Sequence, residues 1–380
     1  RRSRAAMVNG NARQRITQVY LTLGRTFGVW ITPLFTAVLI VGLRLTVAAG
    51  MALDVLVSSR LRRTRVERPI VIVGNPRSGT TFLHRFLVNH GIGAGSELWR
   101  MLYPSVVLQT LLRPFLPVLE IISPARHHST VAHQTSLSSV ETDDVAVLFR
   151  YLDGFFLYGF FLGWAEEDLL HWFDPKHRDT ADRDFGWLES MWRRILVATG
   201  RDRVVAKLFS LGARTPEFLE RFPDARVLYM VRDPLNVIPS GMSLVTGVLD
   251  KKFGFWSLPE DKRARYLERL YGALVELLQR FHADWTSGRI DRDRVMVVRY
   301  DRMMVDFEGL MDELLGFVGH EVSPEFLDEI RRTGEKQRAY ESRHHYDLAK
   351  FGLDENRIRQ DCAMVYETFL PPLDSQGEQP

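Results

Sequence analysis

The sequence predicts a three-layer α/β/α fold around a central parallel sheet, preceded by an N-terminal hydrophobic helical segment. Three observations carry that prediction. Short apolar, β-branched runs recur at Ile70–Val73, Arg203–Leu208, Arg226–Val231 and Arg294–Tyr300, each the length of a buried strand. Stretches with helical spacing of apolar residues separate them, at Thr80–Leu87, Thr215–Phe222 and Pro259–Trp285, the last with Leu267, Leu270, Leu274, Leu277 and Leu278 on one face. A strand, a helix and a second strand in succession make a parallel crossover. With 380 residues, 46% hydrophobic and 26% charged, the chain can bury one large core and carry an appendage. Residues 1–67 are basic and apolar, 68–365 form the α/β domain, and 366–380 are a flexible tail, Pro-rich and polar from Pro371. Within the domain, residues 100–200 form a largely helical insertion.

Taken in order, the N-terminal segment comes first. Thr26–Leu43 is a stretch of 18 residues without a charge, near the lower limit for crossing a bilayer. Arg44 interrupts it, Leu45–Leu53 is again apolar, and Asp54 follows. Arg1, Arg2, Arg4, Arg13 and Arg15 precede the stretch; Arg60, Arg62, Arg63, Arg65 and Arg68 follow it. Basic flanks on both sides give no orientation by the positive-inside rule. They suit a helix pair kinked near Pro33 and Arg44, lying on the cytoplasmic leaflet with the rest of the chain facing the cytoplasm. A single spanning anchor and a helical arm packed on the protein are the competing readings. The net charge is +3, and the crowding of Lys and Arg into this segment points to an acidic membrane surface rather than nucleic acid. The apolar part is long for a cleaved signal peptide. One cysteine, Cys362, excludes an internal disulfide.

The stretch from Pro69 to Leu87 organises the α/β domain. A buried strand, Ile70–Val73, runs into a turn of Gly74, Asn75, Pro76, Arg77, Ser78 and Gly79, and a helix opens at Thr80. Backbone N–H groups and the positive end of the helix dipole converge on such a turn, which makes it an anion site. Arg77 adds a planar cation, and Ser78, Thr80 and Thr81 add hydroxyls. The turn is P-loop-like: Gly74 and Gly79 have the Walker separation. Thr80, however, stands where the Walker lysine belongs, and the cation has moved inside the loop to Arg77. An ATP-dependent kinase needs that lysine on the terminal phosphates, so the loop suits a phosphate or sulfate held in another way.

Beyond the loop helix, the glycines of His90–Gly95 turn the chain back across the sheet, and Glu97 lies 20 residues after Arg77. Ligands of open α/β sheets bind at the carboxyl ends of the strands, where Glu97 can serve as general base for an acceptor hydroxyl. In the insertion, Phe155–Trp164 is strongly aromatic; it reads as core, or else as the wall of an apolar acceptor pocket. His127, His128 and His133 lie near Glu141, Asp143 and Asp144, but their spacing fits no standard metal set. Glu141–Asp144 reads instead as the acidic start of a helix. The strand Arg203–Leu208 brings Lys207 to a carboxyl end. Arg226–Val231 ends in Arg232-Asp233-Pro234, with Ser240 eight residues after Arg232. An Arg at a strand's end and a Ser on the next helix clamp one phosphate, a second anion site separate from the first.

Two such sites on one parallel sheet, without a Walker lysine, resemble the sulfotransferases that use 3′-phosphoadenosine 5′-phosphosulfate (PAPS). The bacterial and tyrosylprotein-like branch is the nearest in pattern. The resemblance covers residues 68–365 and implies that Arg77, Ser78, Gly79, Thr80 and Thr81 hold the 5′-phosphosulfate and that Arg232 and Ser240 hold the 3′-phosphate. It implies Glu97 as catalytic base, with Arg77 and Lys207 as catalytic cations. Phe209 stands where the family's Lys-x-Pro pattern has proline, and Tyr300-Asp301 is similar to its Tyr-Glu step, which places Tyr300 near the nucleotide. His344–Tyr346 and Lys350–Leu353 are similar to the segment that closes over the nucleotide. The expected reaction is sulfuryl transfer from PAPS to a hydroxyl, with no metal required, and the apolar N-terminus favours a lipid or other hydrophobic alcohol as acceptor. A small-molecule or lipid kinase using ATP and Mg²⁺, and a non-catalytic nucleotide-binding membrane protein, are the alternatives.

Overall fold

Four short parallel strands form the centre of the computed structural model, which describes residues 10–122, 136–339 and 348–372. They are β1 (Ile70–Val73), β2 (Val205–Lys207), β3 (Arg226–Val231) and β4 (Val295–Arg299), in the order β2-β1-β3-β4. Ile72 lies opposite Lys207, Val73 opposite Tyr229, and Val231 opposite Arg299. All four residues of β1 are fully buried, as a strand covered on both faces requires. Val71, Val73, Ala206, Val227 and Tyr229 point into one core; Ile70, Ile72, Val205, Leu228 and Met230 point into the other. That alternation is the period of two. Helices Ala181–Thr199, Pro234–Phe253 and Glu260–Thr286 cover the first face. Helices Thr80–Asn89, Phe307–Phe317 and Pro324–Arg338 cover the second. The architecture is the expected three layers.

Strand order decides where a ligand fits. The chain leaves β1 for β2 on one side and then crosses to β3 on the other. The crevice at a switch point of this kind opens beyond the carboxyl end of the strand between, here β1. The anion loop is that end.

The insertion is helical, with Leu98–Leu102, Val106–Leu112, Leu116–Ile122, Asp144–Tyr151 and Phe155–Phe160 before Ala181–Thr199. The aromatic run is partly core, with Leu157, Tyr158, Leu162 and Trp164 buried. Phe155 and Phe156 instead set their rings edge-on against Phe209, at 5.6 and 4.9 Å, where the chain leaves β2. At the C-terminus the helix Ala363–Phe369 buries Val365 and Phe369, so residues 366–369, expected in the flexible tail, belong to the packed body.

The N-terminal segment departs from the expected kinks. One helix, Ala12–Phe27, ends at Gly28 with φ of 70°, a left-handed cap that favours glycine. A second, Thr32–Val57, then runs 26 residues unbroken. Pro33 occupies its first turn, where no helical N–H is lost. Arg44 sits inside the helix and donates to the Phe149 carbonyl at 3.0 Å. By length and composition this helix is apolar enough to cross a membrane, and 11% of its most apolar window is buried. Ala12–Phe27 is tied to the body by Arg15, which donates to the Leu152 carbonyl at 2.8 Å and pairs with Asp153 at 3.4 Å.

Candidate active site

The loop owes its shape to close approach. Gly74 has φ of 149°, and a Cβ there would lie 2.6 Å from the Met230 carbonyl oxygen on β3. Gly79 has φ of 91°, and its Cβ would meet Met303 at 2.8 Å and the Tyr300 ring at 2.9 Å. Only glycine fits either position. Between them Arg77 takes φ of 79°, an uncommon conformation for a side-chain-bearing residue. The loop is held from outside by Asn75, whose amide donates to the Leu274 carbonyl at 2.9 Å. From inside, the Ser78 hydroxyl and N–H both go to the Asn75 carbonyl. The first N–H groups of Thr80–Asn89, at Thr80 and Thr81, have no partner within the helix and face its open end.

The two anion elements, separate in the sequence, meet in the structure. Arg77 Nε donates to Ser240 Oγ at 3.0 Å. Arg232 donates to the Arg77 carbonyl at 3.0 Å, and its guanidinium stacks on Tyr300 at 4.0 Å from the ring centroid. Arg232 is not committed to Asp233, which caps the helix Pro234–Phe253 and accepts from Tyr366 at 2.6 Å. Residues 77, 232, 240 and 300 are therefore linked in one cluster beside the loop. The two elements, separate in the sequence, lie side by side because β1 and β3 are neighbours.

Lys207 arrives from β2 on the loop-helix side and donates to Thr81 Oγ1 at 3.1 Å. Burial holds its ammonium below the usual lysine range, opposed by Glu141 and assisted by Arg85. Glu141 is buried and accepts from Ser139 at 2.9 Å and from Arg85 at 3.4 Å. Expected as a helix-start carboxylate, Glu141 precedes the helix, which begins at Asp144. Asp143 and Asp144 do stand at the helix start, as the N-cap position and the first residue, and they also fasten the end of β2. Asp143 accepts from the Lys207 N–H at 3.0 Å, from Ser96 and from the Trp192 indole; Asp144 accepts from the Phe209 N–H at 2.9 Å. Burial pushes the Asp143 carboxyl up to about 6.

His84, which the sequence reading passed over, lies behind the loop near Lys207. It is fully buried on the loop helix, with Nε2 2.9 Å from the Val205 carbonyl and Nδ1 without a partner. Burial, then the nearby Lys207, push it down to about 3. The imidazole is neutral at any working pH and donates through Nε2. Its place four residues after Thr80, on the inner face of the loop helix, was the available signal.

Glu97 follows a parallel bridge between Ala94 and Val204 and itself forms an antiparallel bridge with Val140. Its Oε2 accepts from the Trp99 indole at 2.9 Å and from Arg100 at 2.5 Å. Arg100 also donates to Gln109 at 2.6 Å. His127, His128 and His133 lie outside the described residues, as do residues 344–346. Lys350 lies over the Trp256 ring at 4.3 Å, and Phe351 and Leu353 are buried. Among the described residues no group of His, Cys, Asp and Glu has a metal-binding arrangement.

A parallel sheet with a glycine-bounded loop at its switch point, and with arginine inside the loop in place of the Walker lysine, defines the class of fold. The profile of the sulfotransferase family matches residues 69–324, and the chain belongs to that family. The chain is 25% identical over 253 residues, 66% of its length, to the omega-hydroxy-beta-dihydromenaquinone-9 sulfotransferase Stf3 of Mycobacterium bovis, and equally to that of Mycobacterium tuberculosis. The matched stretch spans 62% of the length of these curated relatives. Among solved structures, sulfotransferase STF9 from Mycobacterium avium superposes with a TM-score of 0.67 at 18% identity, covering 97% of this chain and 87% of that one. STF1 from Mycobacterium tuberculosis gives 0.64 at 19%, covering 93% and 92%. At these identities the superpositions speak for the fold, and they extend it over the N-terminal helices.

Proposed function

We propose that the protein transfers the sulfuryl group of PAPS to the hydroxyl of a hydrophobic alcohol. The observation that carries this reading is the junction at Arg77, where the loop, Ser240 and Arg232 meet within hydrogen-bond distance. One extended cationic surface of this kind suits a nucleotide with phosphates at both its 5′ and 3′ ends. Arg77 and the N–H groups of Thr80 and Thr81 take the 5′-phosphosulfate, Arg232 and Ser240 take the 3′-phosphate, and Tyr300 supports Arg232 from below. Glu97 accepts the proton as the acceptor oxygen attacks sulfur in line and the bond to the phosphate oxygen breaks. Arg77 and Lys207 offset the negative charge that grows on the sulfuryl oxygens and the departing phosphate.

The hydrophobic acceptor has its own support. Phe155, Phe156 and Phe209 form an aromatic wall beside the end of β2, and Stf3 is named for an omega-hydroxy-beta-dihydromenaquinone as its acceptor. The arginine-rich flanks of the Thr32–Val57 helix support a membrane-associated enzyme with its α/β domain on the cytoplasmic side, whose leaflet is anionic.

Calorimetric titration with adenosine 3′,5′-bisphosphate, beside ATP with Mg²⁺, tests the nucleotide. Micromolar binding of the bisphosphate with little for ATP is expected; preference for Mg-ATP overturns the reading in favour of a kinase. Arg232→Ala is expected to weaken the bisphosphate by about tenfold or more, since a charge-assisted bond is worth roughly 1.5–3 kcal/mol. Arg77→Ala lowers kcat by about 10²–10³-fold, the usual cost of one donor on developing charge, and labelled PAPS reads it directly.

Lys207 yields a pH prediction. Its charged form does the work, burial favours its neutral form, and raising the pH removes the proton. The rate therefore falls on an alkaline limb that lies below lysine's ordinary 10.5. Lys207→Arg abolishes that limb in a kcat–pH profile; an unchanged limb assigns it to another group.

A further inference from the structure

The apolar helix Thr32–Val57 is fastened to one body before, along and after its length. Ahead of it, Phe27 stacks on Phe253 at 4.3 Å and meets Trp164 edge-on at 5.3 Å, while Trp30 packs on Tyr20. Within it, Arg44 bonds Phe149, Gly50 abuts Leu108, and the buried Asp54 pairs with Arg194 at 2.8 Å. Past it, the Leu61 and Thr64 carbonyls accept from Arg193 at 2.7 and 2.9 Å. At 1.5 Å per residue the helix is about 39 Å long, enough to cross the hydrocarbon core of about 30 Å. A crossing helix, however, holds its two ends on opposite sides of that core. These ends share one body, so the helix lies flat.

Among the described residues its outer side has no cover. Leu34, Phe35, Val38, Leu39, Leu45 and Leu56 are each 54–74% exposed. A second stripe stands on the neighbouring run 106–122, where Leu111, Phe115, Val118 and Ile121 are 58–64% exposed at the spacing of one helical face. The two elements touch through Gly50 and Leu108 and through Asp54, which caps Val106–Leu112. The charge around them has one sign. From Gly10 to Val66 the sole acid is Asp54, buried against Arg194, whereas Arg13, Arg25, Arg60, Arg62, Arg63 and Arg65 are exposed. Apolar faces with an arginine rim match one leaflet of an anionic bilayer.

We propose that the outer face of Thr32–Val57 and the Leu111–Ile121 stripe form one monotopic docking surface, lying flat in a single anionic leaflet. The site is coupled to that surface, because Gln109 on the docking run holds Arg100, and Arg100 holds Glu97. A lipid-borne hydroxyl then meets the base from the membrane side; this last step rests on the sulfuryl-transfer reaction, the docking does not.

The test uses the full chain without nucleotide and vesicles of phosphatidylcholine with phosphatidylglycerol. Flotation with these vesicles, weakened by salt and by omitting phosphatidylglycerol, is expected. Leu39→Asp with Leu45→Asp, and separately Leu111→Asp with Val118→Asp, each reduce binding by about tenfold or more. Circular dichroism and an unchanged unfolding midpoint keep a misfolded variant from counting. Depth distinguishes lying from spanning. Cys362 is buried, so cysteines placed at the exposed Ala37 and Ala49 carry the only accessible labels. Quenching by spin-labelled lipids should give both the same shallow depth. Depths that differ by about 18 Å, the rise of 12 helical residues, overturn the proposal, as does a vesicle-indifferent dimer that covers the apolar faces itself. Vesicle binding without bisphosphate binding leaves the docking standing and sinks only the reaction.

Discussion

Glu97→Gln lowers kcat by about 10²–10⁴-fold, the range in which a positioned general base acts, while bisphosphate binding stays at the wild-type value. Glutamine keeps the shape of the side chain and an oxygen for Trp99 and Arg100, but it cannot take a proton. Among the described residues both hydrogen bonds to the Glu97 carboxylate fall on Oε2, and the proposed reaction uses Oε1 for the acceptor hydroxyl. Single-turnover transfer from labelled PAPS separates the two parameters. A variant as active as the wild type would move the base elsewhere, and Glu141, buried beside Lys207, is the next carboxylate to replace. Arg100→Ala is a gentler change to the same unit: the carboxylate survives without its guide, so kcat falls less than in Glu97→Gln.

Asp54→Ala destabilises the protein by about 3–5 kcal/mol, the cost of leaving a buried charge without its partner. Asp54 is fully buried and pairs with Arg194, itself 6% exposed. Its carboxylate also accepts from Ser105 at 2.9 Å and from the N–H groups of Val106 and Val107 at 3.1 and 2.9 Å. The one side chain thus neutralises an arginine and caps a helix. Loss of both detaches the Thr32–Val57 helix from the insertion, and the urea midpoint falls accordingly. A small shift, under about 1 kcal/mol as for surface pairs, would mean that Arg194 finds sufficient partners in Ser190 and Met51.

Much of the α/β domain was legible from local pattern. β3 occupies the predicted run Arg226–Val231, and the loop helix begins at Thr80 as its glycine and threonines imply. Those features are set by neighbours in sequence: β-branched runs for strands, positive φ for glycine, orphan N–H groups at a helix start. The N-terminal segment was less legible. Its hydrophobicity announced a membrane-like helix, but Pro33 and Arg44 read as kinks. Neither is one, because a proline in the first turn displaces nothing and Arg44 is satisfied by Phe149, a partner 105 residues away.

By itself the sequence determined the class of chemistry: a strand, a glycine-bounded loop with its cation inside, and an arginine at a second strand's end. It could do so because an anion loop is built from a few consecutive residues. Tertiary structure decided what those pieces make together. Adjacency of β1 and β3 brought the two elements into contact through Arg77, Ser240 and Arg232. Packing, not composition, buried His84 and Lys207 and shifted their protons. The fastening of one apolar helix at Phe27, Arg44 and Asp54 set its direction. Each of these depends on contacts between residues distant in the chain, about which local propensity carries no information.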